Sequence, residues 1–267
     1  MKHIIFRNKK IFYKAAGKGM PVILLHGFAE TSDVWNYQFE KLKEDFFVII
    51  PDLPGSGKSE MLEGEIFIED YADVIKAIAD IEVNNNKSAL FTLVGHSMGG
   101  YITLALAEKY PKLLNAFGLF HSSAFADDTS KIEARKKGIE FIKNNGVESF
   151  VKTTTPNLFS EKTKNKNPKL IENLTHLAKD FSADALIQYY YAMMERPDRI
   201  SVLKSFKKPV LFIIGKDDNA VPLKASLEQC HLPSVSYIEI LQNSGHMGMW
   251  EEKNKANQSL LNFLKRL

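Results

Sequence analysis

The sequence has a single cysteine, Cys230, which excludes an internal disulfide and a thiol-rich metal site. It has no long hydrophobic run. The longest apolar stretches, such as 21–25 and 209–214, are strand-length, far short of the roughly 20 residues a membrane-spanning helix needs. The opening segment, MKHIIFRNKKIFYKAAG, carries a charge every few residues, which argues against a signal peptide or membrane anchor there. An excess of one charge sign is missing too. Against 35 Lys and Arg stand 32 Asp and Glu, and the net +3 is too mild for a nucleic-acid binder. Lysines thicken between Lys131 and Lys169, but Glu133, Glu140, Glu148 and Glu161 are interspersed, so the stretch reads as a solvated face. Repeats and low-complexity tracts are also lacking. What these absences leave is the expectation of a reduced, cytoplasmic protein that binds neither nucleic acid nor membrane; a small-molecule partner and a monomer or homodimer are further expectations. With 45% hydrophobic and 25% charged residues it has ordinary globular composition, and its 267 residues suffice for one large domain with an insertion.

Short runs rich in Val, Ile, Leu and Phe read as buried strands: VILLHG (22–27), FFVIIPD (46–52), ALFTLVG (89–95), AFGLFHS (116–122), VLFIIG (210–215) and VSYIEI (235–240). Ahead of them, HIIF and IFYKAA flank RNKK as an opening hairpin. Helical patterns alternate with the strands over 32–42, 69–81, 98–110, 223–230 and 251–267. Strand alternating with helix predicts an α/β fold with a largely parallel sheet and helices on both faces. The rhythm breaks once. Between Ser122 and Pro209 no strong strand signal occurs, and helix-like sequence is interrupted at Asn144-Asn145-Gly146, Pro156, Pro168 and Pro197. That stretch reads as an inserted helical cap over 123–208, the core comprising 1–122 and 209–267.

The segment DLPGSGKSE (52–60) looks at first like a phosphate cradle. Such a loop needs Gly-x-x-x-x-Gly-Lys-Ser/Thr, and counting back five from Gly57 gives Asp52, whose carboxylate would repel phosphate. Gly55 and Gly57 are better explained as a tight turn beyond a strand end.

The chemistry lies in TLVGHSMGGYITLALAEKY. Gly95-His96-Ser97-Met98-Gly99 is Gly-x-Ser-x-Gly framed by an apolar strand and an amphipathic helix. There a sharp turn strains the serine backbone and projects its hydroxyl, while the helix N-terminus offers partial positive charge to a forming oxyanion. A serine hydroxyl needs a base held by a carboxylate. Seven histidines compete. His3 lies in the first strand, His176 in the cap and His231 after a helix; His26 and His96 adjoin motif glycines and shape loops; His121, at a strand end, ranks second. His246, in NSGHMGMWEE between the last strand and the terminal helix, ranks first. Asp217 and Asp218 follow the VLFIIG strand and supply the carboxylate. The order Ser, Asp, His is that of α/β-hydrolases.

On VILLHGF, PDLPGSGKS, LVGHSMGG, GKDDNAVP and SGHMGMWEE the chain resembles the α/β-hydrolase superfamily over nearly its whole length. The resemblance implies a mostly parallel, eight-stranded sheet. It favours Asp218 over Asp217, since the family's Gly-x-x-Asp-x-x-x-Pro pattern falls on Gly215, Asp218 and Pro222. It implies the backbone N–H groups of Phe28 and Met98 as oxyanion donors and requires no metal or organic cofactor. It also implies a serine hydrolase acting through an acyl-enzyme on a small, apolar carboxylic ester. Enol-lactone, thioester or carbon–carbon bond hydrolysis, and a non-catalytic receptor on the same fold, stand as alternatives. Substrate contacts are expected from His26, Trp35, Phe125, Phe159, Tyr190, Val221 and Met247.

Overall fold

In a computed structural model of the chain, which describes residues 1–85 and 90–267, eight strands form one sheet. They are β1 (Lys2–Phe6), β2 (Lys9–Ala16), β3 (Pro21–Leu25), β4 (Phe47–Pro51), β5 (Phe91–His96), β6 (Leu114–Phe120), β7 (Val210–Gly215) and β8 (Ser236–Leu241). Their order across the sheet is β1-β2-β4-β3-β5-β6-β7-β8. The opening hairpin, β1 with β2, joins β4 antiparallel, and every later pairing is parallel. Ala89, where the predicted 89–95 strand would begin, lies outside the described residues.

The apolar runs form strands because both faces of each central strand are covered. On β3, Val22 and Leu24 join one core cluster while Ile23 and Leu25 join the other. On β7, Val210, Phe212 and Ile214 face one side and Leu211 and Ile213 the other. Each such side chain contributes about 1.5–3 kcal/mol on burial, so the period-2 alternation with no polar face is itself the stabilising pattern.

The helices are α1 (Asn36–Leu42), α2 (Ile68–Asn85), α3 (Met98–Lys109), α4 (Thr129–Thr154), α5 (Glu161–Lys166), α6 (Lys169–Ala178), α7 (Ala183–Met194), α8 (Ile200–Ser205), α9 (Leu223–Cys230), α10 (Gly248–Glu251) and α11 (Lys253–Leu264). Helices α2 and α3 cover one face; α1 and α11 pack together over the other. No helix among the described residues is long and apolar enough to cross a membrane. Between β6 and β7 the regular structure is helical only, α4 to α8, with α4 broken at Gly146, whose φ of 79° and ψ of 165° are not helical. Helix α8 packs on α3, and Arg199 just before it donates to Glu108 (3.0 Å) and to Glu69, tying the segment before α8 to α3 and α2.

The sheet order positions the site. From β3 the chain moves outward to β4, then crosses back to β5 on the other side of β3. The carboxyl ends of β3 and β5 therefore flank a point where the winding reverses, where an open parallel sheet leaves a crevice. The register sets Leu25 beside Gly95 and Gly215 beside Leu241, so the loops after β3, β5, β7 and β8 emerge along one rim.

The loop after β4 answers the phosphate question. Asp52 is buried, its Oδ1 accepting from the Ser32 N–H (2.9 Å) and its Oδ2 from the Lys58 N–H (3.1 Å). Gly57, at φ 52°, passes so close beneath this carboxylate that a β-carbon would collide with it. The segment is a turn closed on its own aspartate, and the Tyr189 hydroxyl seals it from above by donating to the Pro54 carbonyl (2.7 Å).

Candidate active site

Ser97 sits between β5 and α3 with φ 49° and ψ −116°, a backbone conformation that costs an L-residue of order 1–3 kcal/mol. Its surroundings hold it there. The Ser97 N–H donates to the Phe120 carbonyl (3.0 Å), and the Ser97 carbonyl accepts from the Ser122 hydroxyl (2.7 Å) and the Gly100 N–H (2.9 Å). Two glycines make the turn possible. A β-carbon on Gly95 would run into the Gly99 carbonyl, and one on Gly99 would lie 2.6 Å from the Leu25 carbonyl oxygen. Met98 opens α3, so its N–H is among the first-turn donors that have no partner within their own helix.

Asp218 is buried in the turn after β7, whereas Asp217 is exposed. Its orientation comes from its own backbone: Oδ1 accepts from the Ala220 (2.8 Å) and Val221 (2.9 Å) N–H groups, a local aspartate turn. That leaves Oδ2 for His246 Nδ1, which donates to it across 2.8 Å. His246 is fixed independently, its N–H donating to the Leu158 carbonyl (2.7 Å) and its own carbonyl accepting from His96 Nε2 (2.9 Å). Burial works against both charges, but their mutual attraction and hydrogen bond prevail. The Asp218 carboxyl lies well below the usual range, helped by His121, and the His246 imidazole lies above its own. With Nδ1 committed to Asp218, Nε2 is the nitrogen left for chemistry.

His121 is a second imidazole on the same carboxylate. At φ 49°, its Nδ1 stands 3.1 Å from Asp218 Oδ2 and 3.0 Å from the Gly215 N–H. Burial lowers its pKa to about 4, outweighing the pull of Asp218, so the ring is neutral. One nitrogen cannot both donate to the carboxylate and accept from the amide, and Nε2 is buried without a partner among the described residues. His121 is thus a packed neighbour of Asp218 with a compromised hydrogen-bond set.

Ser97 and His246 border one cavity of about 280 Å³, together with Phe28, Glu30, Tyr101 and, from the helices between β6 and β7, Lys131, Arg135 and Tyr190. Larger surface hollows, of about 550 and 650 Å³, touch none of Ser97, Asp218 and His246. Phe28 stacks on Tyr190 at 4.3 Å and 23°, which joins the turn after β3 to α7.

Of the predicted substrate contacts, Tyr190 and Val221 line the cavity and five others do not. His26 is buried and fully engaged: Nδ1 donates to the Gly27 carbonyl (2.8 Å), and Nε2 accepts from the Leu53 N–H (2.9 Å) beside Ser56 Oγ (2.8 Å). It fastens the β3 and β4 loops together. Trp35, Phe159 and Met247 are buried in the cluster beneath the opposite sheet face, where Trp35 meets Phe120 edge-on at 5.2 Å. Phe125 lies outside the cavity lining, and its carbonyl accepts from Arg196 (3.0 Å). Sequence reasoning missed Glu30, Tyr101, Lys131, Arg135 and Leu158. Glu30 had a local signal, standing three residues after Gly27, whose N–H its Oε2 accepts at 2.6 Å; the same oxygen meets His96 Nδ1 at 3.0 Å. Burial pushes the Glu30 carboxyl up, but His96 and the Gly27 amide bring it below the usual range. Lys131 belongs to the run read as a solvated face; the structure turns it to the cavity instead.

Comparison with known proteins agrees with this architecture. A family described as the alpha/beta hydrolase fold matches residues 20–133. A structure of an esterase from Thermogutta terrifontis superposes with a TM-score of 0.90 at 26% identity, covering 97% of this chain and 94% of that one. The chain has the α/β-hydrolase fold, and its residues 20–133 match that family. Among curated relatives, a putative carbamate hydrolase, RutD, of Agrobacterium fabrum is 29% identical over 252 residues, 91% of this chain and 93% of its own length. An uncharacterised protein of Mycobacterium tuberculosis is 31% identical over 121 residues, 44% of this chain, which there spans only 33% of the relative.

Proposed function

We propose that the chain is a serine hydrolase that cleaves a small carboxylic ester through an acyl-enzyme, with Ser97 as nucleophile, His246 as base and Asp218 as its orienting carboxylate. The observation that carries this is the buried 2.8 Å contact between His246 Nδ1 and Asp218, with its imidazole on the cavity that Ser97 also borders. The esterase and hydrolase relatives support the same reaction class.

In this reading Ser97 Oγ bonds to the carbonyl carbon as its proton passes to His246 Nε2, and the carbonyl oxygen becomes an anion. The Phe28 and Met98 N–H groups receive that charge; one such donor is worth about 3 kcal/mol. Collapse breaks the ester C–O bond, and the departing alkoxide takes the proton from His246. Water then repeats the steps in reverse, returning Ser97 and releasing the acid. The helices between β6 and β7 act as a cap over the pocket. The substrate is small, since a cavity of about 280 Å³ lies just below the usual ligand-pocket range of about 300–1,000 Å³.

Ser97→Ala tests the assignment. Turnover of a short ester should fall by about four to six powers of ten with the circular dichroism spectrum unchanged. A loss below tenfold removes Ser97 from its role. A fluorophosphonate probe should add its mass at Ser97; a protein that stays unlabelled is a receptor, not an enzyme.

A further inference from the structure

Two cationic side chains border the cavity, Lys131 and Arg135, one turn apart on α4. Behind them the charges do not balance. Asp127, whose side chain is fully buried, takes Arg135 through Nε (2.5 Å) and Nη2 (3.3 Å), and Arg196 through Nη2 (2.9 Å). Burial raises the Asp127 carboxyl, but the two guanidinium groups hold it below the usual range, so it is ionised and offsets one of them. Arg135 Nη1 and the Lys131 ammonium have no protein partner among the described residues. The one carboxylate in the lining, Glu30, already has its Oε2 on Gly27 and His96. Counting the exposed Asp128, whose charge also acts on Lys131, three cations face three carboxylates, but in the cavity lining itself two cations, Lys131 and Arg135, stand against one carboxylate, Glu30. A cleft with an uncompensated positive charge and low-dielectric walls concentrates anions.

The free donors also narrow the anion. The Nε–Nη2 edge of Arg135 is spent on Asp127, which leaves the Nη1 end of the guanidinium and, a turn away, the Lys131 ammonium. Two cationic groups set against one lining carboxylate, Glu30, suit an anion of one negative charge. A phosphate would bring a second negative charge that the wall does not match. Beside this chamber, sharing Phe28, Glu30, Leu158 and Tyr190 with it, lies a smaller hollow of about 120 Å³ otherwise lined largely by Phe150, Val151, Leu174 and Ala178.

We propose that Lys131 and Arg135 form an anion-recognising subsite, and that the substrate is an ester carrying a free carboxylate together with a short apolar group that fills the smaller hollow. This rests on the serine-hydrolase reading and specifies its substrate class. The two residues are specificity determinants; neither touches the reacting bond.

The test compares methyl hydrogen glutarate with methyl pentanoate, matched in chain length, by methanol release from the full-length protein. The wild type should favour the anionic ester at least tenfold in kcat/KM, and Lys131→Glu should abolish that preference mainly through KM. Arg135→Lys, which keeps a charge beside Asp127, should retain part of it. A second measurement avoids dependence on these esters: glutarate should slow fluorophosphonate labelling of Ser97 in the wild type and not in Lys131→Glu. Equal use of both esters, or equal protection by glutarate in wild type and Lys131→Glu, overturns the subsite while leaving the hydrolase reading intact. Absence of any labelling at Ser97 overturns the hydrolase reading and the subsite with it.

Discussion

His121 should make the protein acid-labile in a window set by its burial. In the native state the ring is neutral with a pKa of about 4, against about 6.5 for an exposed histidine in the unfolded chain. Between those values the unfolded chain binds a proton that the native state refuses. Stability from this site is therefore complete above about pH 6.5 and is lost as the pH falls toward 4. Integrating over the window gives a loss of about 2 kcal/mol at pH 5 and about 3 kcal/mol at pH 4. His246 titrates in the opposite sense, since its native pKa is raised, so the absolute stability curve mixes the two. The difference between wild type and His121→Asn isolates the term; asparagine is chosen because it tolerates the left-handed backbone at φ 49°. Urea denaturation of both proteins from pH 7.5 to 4 is the assay. The variant should be the less stable at pH 7, having lost packing and the Gly215 amide contact, and the gap should narrow by about 3 kcal/mol as the pH falls to 4. A gap that stays constant within about 1 kcal/mol would refute the neutral, buried state assigned to this ring.

Other expectations follow from the same geometry. Because Asp218 lifts the His246 pKa, ester turnover in the wild type should rise with pH through a midpoint above about 6.5. In Asp218→Asn that midpoint should move down while kcat drops by about 10⁴, and an unmoved midpoint would uncouple the pair. Gly95→Ala forces a methyl group into the Gly99 carbonyl and should cost about 3 kcal/mol or prevent folding; a melting temperature within about 2 °C of wild type would show that the turn is looser than described.

The parts of the fold legible in the sequence were those where one local signal sufficed. Continuous apolar runs marked β3, β4, β7 and β8 to within two residues at each end. Gly95 and Gly99 marked the serine turn, because close backbone approach admits only glycine there. Boundaries shifted where contacts distant in sequence decide. The terminal helix expected over 251–267 divides at Glu252, where φ is −125°. The side chains beside the break are engaged elsewhere: Glu251 accepts from the Gly245 N–H (2.8 Å) and the Ser160 hydroxyl (2.7 Å), and Glu252 from the Asn243 N–H (2.7 Å). The pocket wall was the least legible part. Trp35, Phe159 and Met247 have the right chemistry for a wall, but which sheet face a loop residue meets depends on packing against α1 and α11. Lys131 and Arg135 were hidden for the converse reason, since nothing in an i,i+4 pair of cations says which side of a helix is roofed over.

Residue 97 is made early and residue 246 late, and synthesis at about 5–20 residues per second separates them by roughly 7 to 30 seconds. Through that interval the nascent polypeptide holds Ser97 without the imidazole proposed as its base, because the segment bearing His246 has yet to be translated. On the serine-hydrolase reading, a premature stop between residues 200 and 245 would leave at least six of the eight strands translated and omit the base, His246. On that reading the site is complete only once the loop after β8 has been made.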